Sequence, residues 1–353
     1  MALVRVHYNR PRSEWFSWIE GPGGLVAEGA NGIPVVVVGL GHIGQAIARA
    51  ALERPDLKLV AAVDPAFAGR RLDEVLSSPA PALCVASEAS SAYGRARGGV
   101  VLHATGSSFQ EVLPEITAAV EAGLSVVSTC EELSYPWLRF EELAGPLDEL
   151  CESRDLAVIG LGVNPGFVLD RLPAFLSQMT GPVRHIRGLR VQDVTRRRVG
   201  LRRKVGVGLS EDEFHAKADR GEIGHVGLSE SAVLAALGCG FEIDEVEEEL
   251  SALVAEEELE GAVPVKAGQV AGVQQLARGF ADGTERVRLE LVIAVDAEDP
   301  RDEVELEAAA PLKVTVPGGF PGDEATAWGV VNAVPAIAMM HGLVTVLDLP
   351  SGR

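Results

Sequence analysis

The sequence predicts an α/β protein: a doubly wound parallel sheet followed by an α+β domain on a mixed or antiparallel sheet. Three observations carry that reading. From residue 33 to about 162, short β-rich runs alternate with apolar residues at helical spacing, as βαβ units do. The glycine-rich segment Gly39-Leu40-Gly41-His42-Ile43-Gly44 directly follows the run Val35-Val36-Val37-Val38. Beyond Pro165 the pattern changes to longer alternating polar and apolar segments, which suit a sheet with one solvated face.

The elements follow in order. Strands are expected at 35–38, 57–63, 100–104, 124–128 and 157–159, with helices at 43–52, 109–122 and 138–153. In the second half, strands are expected at 185–195, 286–295 and 303–316, and helices at 211–220, 229–237 and 244–258. The last of these carries the acidic runs EVEEEL and AEEELE, read as a solvated helix face. Pro-Gly-Gly-Phe-Pro-Gly at 317–322 punctuates the chain before a helix at 324–340, apolar on most sides and therefore buried against the first domain. The expected division is an extension at 1–31, a nucleotide-binding domain at 32–165 plus 321–353, and a substrate and dimerisation domain at 166–320.

Composition narrows the function. Thirty-one Lys and Arg against 51 Asp and Glu give a formal charge of -20, a field that repels phosphate backbones and anionic membrane surfaces, so nucleic acid is not an expected partner. Apolar runs fall well short of the ~20 residues that span a bilayer, so no membrane association is expected. The first 30 residues lack a continuous apolar signal core, and the expected location is the cytoplasm. Cys84, Cys130, Cys151 and Cys239 have no C-x-x-C spacing, and the seven His form no H-x-x-x-H pair, so reduced thiols and no metal are expected.

The glycine segment sits between a strand and a helix, the context in which G-x-G-x-x-G binds a dinucleotide. The first glycine (Gly39) permits the tight turn, the second (Gly41) admits the pyrophosphate, and the third (Gly44) lets helix and strand pack closely. His42 and Ile43 open the helix whose N-terminus would receive the pyrophosphate. Asp64, 20 residues beyond Gly44, ends the next strand where a carboxylate holds the adenosine ribose. Its charge favours NAD, whereas Arg70 and Arg71 in the same loop suit a 2'-phosphate, so the cofactor is NAD(P) with the preference open. Thr105-Gly106-Ser107 follows a strand and suits the nicotinamide ribose; a helix cap at Ser107 or Ser108 fits equally. Ser128-Thr129-Cys130-Glu131-Glu132 places a carboxylate at the sheet rim, where Glu131 or Glu132 serves as general base or sets helix-start electrostatics.

At these residues a resemblance becomes specific. STCEELSYPW (128–137), GLGVNPGFVLD (160–170), KVGVGLSEDEF (204–214), GEIGHVGLSES (221–231) and GDEATAWGVVNAVP (322–335) resemble 2,4-diaminopentanoate dehydrogenase and the native amine dehydrogenases. The resemblance extends over residues 33–350. It implies the dihydrodipicolinate reductase-like fold, with a Rossmann domain, a substrate and oligomerisation domain, and a C-terminal helix returning to the first. It assigns the catalytic glutamate to Glu131 ahead of Glu132, places Thr129 and Asn164-Pro165-Gly166 beside the nicotinamide, and makes Asn332 a cofactor contact. No H-H-x-x-K segment is present, which argues against dihydrodipicolinate reductase itself.

The expected activity is reversible NAD(P)-dependent oxidative deamination of a primary amine, 2,4-diaminopentanoate-like or simpler, to a ketone or aldehyde with release of ammonia. The partners are then the amine or carbonyl substrate and ammonia. Two other readings stand beside it: an oxidoreductase acting on an amino-acid semialdehyde or cyclic imine, and a non-catalytic NAD(P) sensor. A basic cluster, Arg196 to Arg198 with Arg202, Arg203 and Lys204, suits an anionic group or a salt-bridged loop. His225 suits a substrate contact or a structural role, and Trp137, Phe140, Phe167 and Trp328 suit pocket or core. Alternating strands that leave one broad apolar sheet face imply a homodimer.

Overall fold

The computed structural model describes residues 2–6, 32–195 and 199–352. Arg196, Arg197 and Arg198 therefore lie outside the described residues. Of these residues, 2–6 and 167–320 form one unit, and 32–166 with 321–352 form the other.

In chain order, β1 (Ala2–Arg5) is followed by β2 (Ile33–Val38), α1 (His42–Leu52), β3 (Leu57–Val63), α2 (Leu72–Leu76), α3 (Ser90–Tyr93), β4 (Val100–His103), α4 (Phe109–Glu121), β5 (Ser125–Ser128), α5 (Glu141–Ser153) and β6 (Ala157–Gly160). The other unit contributes α6 (Arg171–Ser177), β7 (Val183–Asp193), α7 (Val199–Lys204), α8 (Glu211–Ala218), α9 (Leu228–Gly238), β8 (Glu245–Val254), β9 (Val270–Ala281), β10 (Thr284–Ala294), β11 (Arg301–Ala308) and β12 (Leu312–Pro317). The chain closes with α10 (Gly322–Ile337) and β13 (Gly342–Val344).

The nucleotide-type unit carries a six-stranded parallel sheet in the order β13-β6-β5-β4-β2-β3. Its strands are buried on both faces, which is why they read as continuous apolar runs such as Val35 to Val38 rather than as alternating ones. The strand order reverses between β2 and β4, and open α/β sheets take their ligands outside the carboxyl ends of the strands at such a point. Helix α10 packs along α1 with its apolar side chains Val330, Val331 and Val334 buried.

The other unit carries a seven-stranded mixed sheet, β1-β8-β9-β10-β7-β11-β12, antiparallel except where β10 lies parallel to β7. Its inner face, with Val287, Leu289, Leu291, Val304 and Leu306, is buried beneath α6 and α9. Arg190 pairs with Asp302 at 3.1 Å in this interior, and the pair grips the Phe320 backbone, whose N–H donates to Asp302 and whose carbonyl accepts from Arg190. Burial pushes the Asp302 carboxyl above its ordinary range while Arg190 pulls it down.

The single strand expected at 303–316 is the hairpin of β11 and β12, and three further expectations change. The acidic helix at 244–258 is not formed: Glu245–Val254 is strand β8, hydrogen-bonded between β1 and β9. Glu, Leu and Ala favour helices locally, but two neighbouring strands satisfy this backbone, and Arg278 neutralises Glu247 at 2.7 Å. Residues 2–6 are not part of an extension, because β1 adds to the seven-stranded sheet. The outer face of that sheet is not broadly apolar: Leu189, Leu276 and Val292 are framed by the ion pairs Arg187–Glu307, Arg278–Glu247 and Lys313–Glu303.

Candidate active site

Two loops meet at the reversal of the parallel sheet. Gly39 has φ +88°, and a Cβ there would stand 2.5 Å from the Ala104 carbonyl oxygen, so the turn after β2 lies against the loop after β4. A Cβ on Gly44 would lie 1.8 Å from the Gly39 carbonyl oxygen; only glycine lets α1 start this close to the turn. Gly41 differs, because a Cβ there meets nothing within 4 Å. It is the N-cap of α1, with no side-chain cap, so the first amides of the helix face open space. That combination fits a pyrophosphate on the helix N-terminus.

Asp64 ends β3 and ties this turn to its neighbour: one carboxylate oxygen accepts from Leu40 N–H at 2.7 Å and the other from Ala66 N–H at 2.8 Å. A carboxylate has about four acceptor positions, so lone pairs remain for ribose hydroxyls. Arg71 is held in a two-pronged pair by Asp73 (3.0 and 2.8 Å), whereas Arg70 lies over the Phe67 ring at 5.6 Å. His42 opens α1, exposed, with Nε2 3.0 Å from Asp323 at the start of α10; Ile43 beside it is half-buried.

Asn332 is bonded within this unit. Its Oδ1 accepts from Arg54 at 2.7 Å, and Arg54 follows the C-terminal end of α1. Nine residues along α10 from Asp323, it stands about 14 Å from the end of that helix that meets the glycine turn. It joins α10 to the far end of α1.

The second carboxylate loop follows β5. Thr129 N–H donates to the His103 carbonyl at 2.9 Å, and Cys130 N–H to Ser128 Oγ at 3.1 Å. The Glu131 carbonyl accepts from both the N–H and the hydroxyl of Ser134, which fixes that end of its peptide. Its side chain is half-buried. Glu132 is engaged elsewhere, since its carboxylate accepts from Phe109 N–H at 2.7 Å and so caps α4, whose own N-cap Ser108 makes no side-chain cap bond. Of the two adjacent glutamates that spacing alone left equivalent, Glu132 is the one whose carboxylate caps α4.

Gly106 and Ser107 lie in the same rim. The Ser107 carbonyl accepts from the Cys130 thiol at 3.1 Å, and burial pushes that thiol up to about 12, so it packs rather than reacts. Thr105 is exposed, and its hydroxyl donates to Glu115 at 2.9 Å, leaving it only as an acceptor toward a ligand. Sequence reasoning missed His103, whose Nε2 lies 2.8 Å from the same hydroxyl. The ring is 1 % exposed, with Nδ1 2.9 Å from Ser128 Oγ and Nε2 2.9 Å from Glu115. A single histidine at a strand end has no spacing signal by which to find it.

Asn164, in a cis peptide with Pro165, is buried in this unit. In the other unit, Gln275 holds the His225 backbone from both sides: His225 N–H donates to its Oε1 (2.8 Å) and its Nε2 donates to the His225 carbonyl (2.7 Å). Arg202 donates to the carbonyls of Val194 and Thr195, a loop role for that part of the basic cluster. Phe140 packs on Phe109 at 5.8 Å and Trp137 on Tyr135 at 5.5 Å, while Phe167 meets Phe320 edge-on at 5.5 Å. Among the described residues no group of three or more His, Cys, Asp or Glu is placed to hold a metal, and no helix is long and apolar enough to cross a membrane.

The model of the 2,4-diaminopentanoate dehydrogenase C-terminal domain matches residues 167–353. The chain belongs to this family. It is 25 % identical over 332 residues to 2,4-diaminopentanoate dehydrogenase of Acetoanaerobium sticklandii, covering 91 % of this chain and 94 % of that one. Among solved structures, an amine dehydrogenase from Mycobacterium smegmatis superposes with a TM-score of 0.79 at 21 % identity, over 91 % of this chain and 97 % of that chain. GenD2 of gentamicin A biosynthesis, solved with NAD, gives 0.51 at 15 % identity, over 92 % and 94 % of the two chains. The family assignment agrees with the segments that carry the sequence resemblance, and the superpositions place both units of this family member in one known fold.

Proposed function

We propose that this chain is an NAD(P)-dependent amine dehydrogenase that interconverts a primary amine with a ketone or aldehyde and ammonia, with Glu131 as its acid and base. One observation carries the reading: a carboxylate residue, its carbonyl held by Ser134, stands just beyond the end of β5, the strand paired with β4 beside the crevice that the glycine turn opens. Family membership and the relative named for 2,4-diaminopentanoate support it.

Gly39, Gly41, Gly44 and the α1 N-terminus, with His42 and Ile43, would hold the pyrophosphate; Asp64 the adenosine ribose; and Thr105 to Ser107, Thr129 and Asn164 the nicotinamide end. The bound cofactor supplies a hydride acceptor for the amine-bearing carbon, which is left as an iminium. Glu131 takes a proton from the substrate ammonium and releases it to solvent, then takes one from the attacking water and returns it to the departing nitrogen. In the reductive direction the same carboxylate holds ammonia against the carbonyl. Glu132 stays on α4 throughout and takes no proton.

The reaction is tested by following nicotinamide reduction with a panel of amines, including 2,4-diaminopentanoate, and alcohols. Turnover of amines, with an absolute need for ammonia in reverse, is expected. Turnover of alcohols alone, or of nothing, refutes it.

For the cofactor, Asp64 is anchored by two amides and Arg71 is taken by Asp73, so NAD is the expected preference. Asp64→Ala should shift the NAD-to-NADP ratio of kcat/KM toward NADP by about tenfold, since it removes a charge facing the 2'-phosphate. An unchanged ratio places the decision on Arg70.

The assembly proposed is a homodimer through the outer face of the seven-stranded sheet, where a narrow apolar strip lies between ion pairs of both signs. A C2 axis sets such a patch against itself. Sedimentation at micromolar concentration should give twice the monomer mass; a monomer there rejects the interface.

A further inference from the structure

The mechanism leaves the buried imidazole of His103 unused. His103 and Ser128 are register partners at the ends of the adjacent parallel strands β4 and β5, so their side chains leave the sheet on the same face. The crossover helix between those strands supplies Glu115 to the other side of the ring. The result is a continuous chain: Glu115 to His103 Nε2 at 2.9 Å, His103 Nδ1 to Ser128 Oγ at 2.9 Å, and Ser128 Oγ to Cys130 N–H at 3.1 Å. Its last member is the amide of the residue before Glu131.

Proton directions follow from the donors present. The His103 and Thr105 contacts hold the Glu115 carboxyl below its ordinary range, so it is an acceptor only. With Nε2–H directed at that carboxylate, and the Thr105 hydroxyl 2.8 Å from the same nitrogen, Nδ1 of a neutral ring accepts and the Ser128 hydroxyl donates to it. The lone pairs of Ser128 are thereby turned to the Cys130 amide. A leucine would fill the same space between strands without dictating that orientation. The ring adds direction at the rim, and α4 is bound to the same loop a second time through the Glu132 cap.

We propose that His103 is a positioning residue for the base: with Ser128 and Glu115 it fixes the Cys130 peptide and hence the seat of Glu131. This rests on Glu131 being the acid and base. A displacement near 1 Å costs such a group up to about 10²-fold.

The test is a set of variants of the full chain, read as kcat, KM for the amine, and Kd for NAD(P) by fluorescence titration. His103→Leu and Ser128→Ala should each lower kcat about 10- to 100-fold, with Kd for the nucleotide within about twofold. His103→Asn, whose Oδ1 takes the place of Nδ1, should recover most of the loss. In a Glu131→Gln background, His103→Leu and Ser128→Ala should lower the residual rate no further, because they act through the missing carboxylate. Multiplying losses in that background, unchanged kcat in Ser128→Ala, or His103→Asn no better than His103→Leu would each overturn the proposal. If His103→Leu does not fold, Ser128→Ala alone decides. Near-normal turnover by Glu131→Gln is a separate result: it removes the base assignment and the positioning role with it.

Discussion

Replacing Glu131 with Gln is expected to lower deamination by about 10²- to 10⁴-fold while NAD(P) still binds, the usual worth of a positioned acid or base. The substitution keeps size and hydrogen-bonding shape, and the backbone bonds that seat the residue involve its carbonyl and its neighbour's amide rather than its side chain. The fold should therefore be indifferent. Glu132→Gln supplies the contrast one residue along. Its amide oxygen can still accept from Phe109 N–H, so only the charge at the start of α4 is lost, about 0.3–1 kcal/mol of stability with kcat nearly intact. Rate against pH and a melting curve on both variants separate the roles. A collapse of kcat in Glu132→Gln with Glu131→Gln active would reverse the assignment.

What the sequence could convey follows from the range over which each signal acts. The glycine turn, Asp64 and the strand-end loops were legible because each is a local pattern tied to a strand terminus, and parallel strands buried on both faces announce themselves as apolar runs. Strand β8 was not, because Glu-Val-Glu-Glu-Glu-Leu has helical propensity and only its pairing with β1 and β9 overrules it. The division between Glu131 and Glu132 depends on which carboxylate reaches the α4 N-terminus, a contact spanning 23 residues. His103 needed three elements to come together before its role was visible. The partner of Asn332 was hidden for a related reason: a place in the final helix does not tell which end of α1 a residue meets, and the Arg54 bond puts it at the far one.

The two inner glycines of the turn should separate binding from folding. Gly41→Val puts a branched side chain into the open space before α1, where nothing of the protein lies within 4 Å, so the melting temperature should stay close to that of the parent. The same side chain occupies the approach of the pyrophosphate, and nucleotide affinity should fall by at least about 10²-fold, the loss of roughly 2.7 kcal/mol or more. Gly44→Ala makes the opposite demand. Its methyl group would need the space of the Gly39 carbonyl oxygen 1.8 Å away, and that atom is backbone, so no rotamer relieves the clash. The start of α1 must move off β2, at about 3 kcal/mol or more. Calorimetry with a nucleotide titration on both variants gives the comparison. A Gly41→Val protein that binds NAD(P) normally would remove the pyrophosphate from this helix end, and a Gly44→Ala protein as stable as the parent would mean that the turn and the helix are not packed as described.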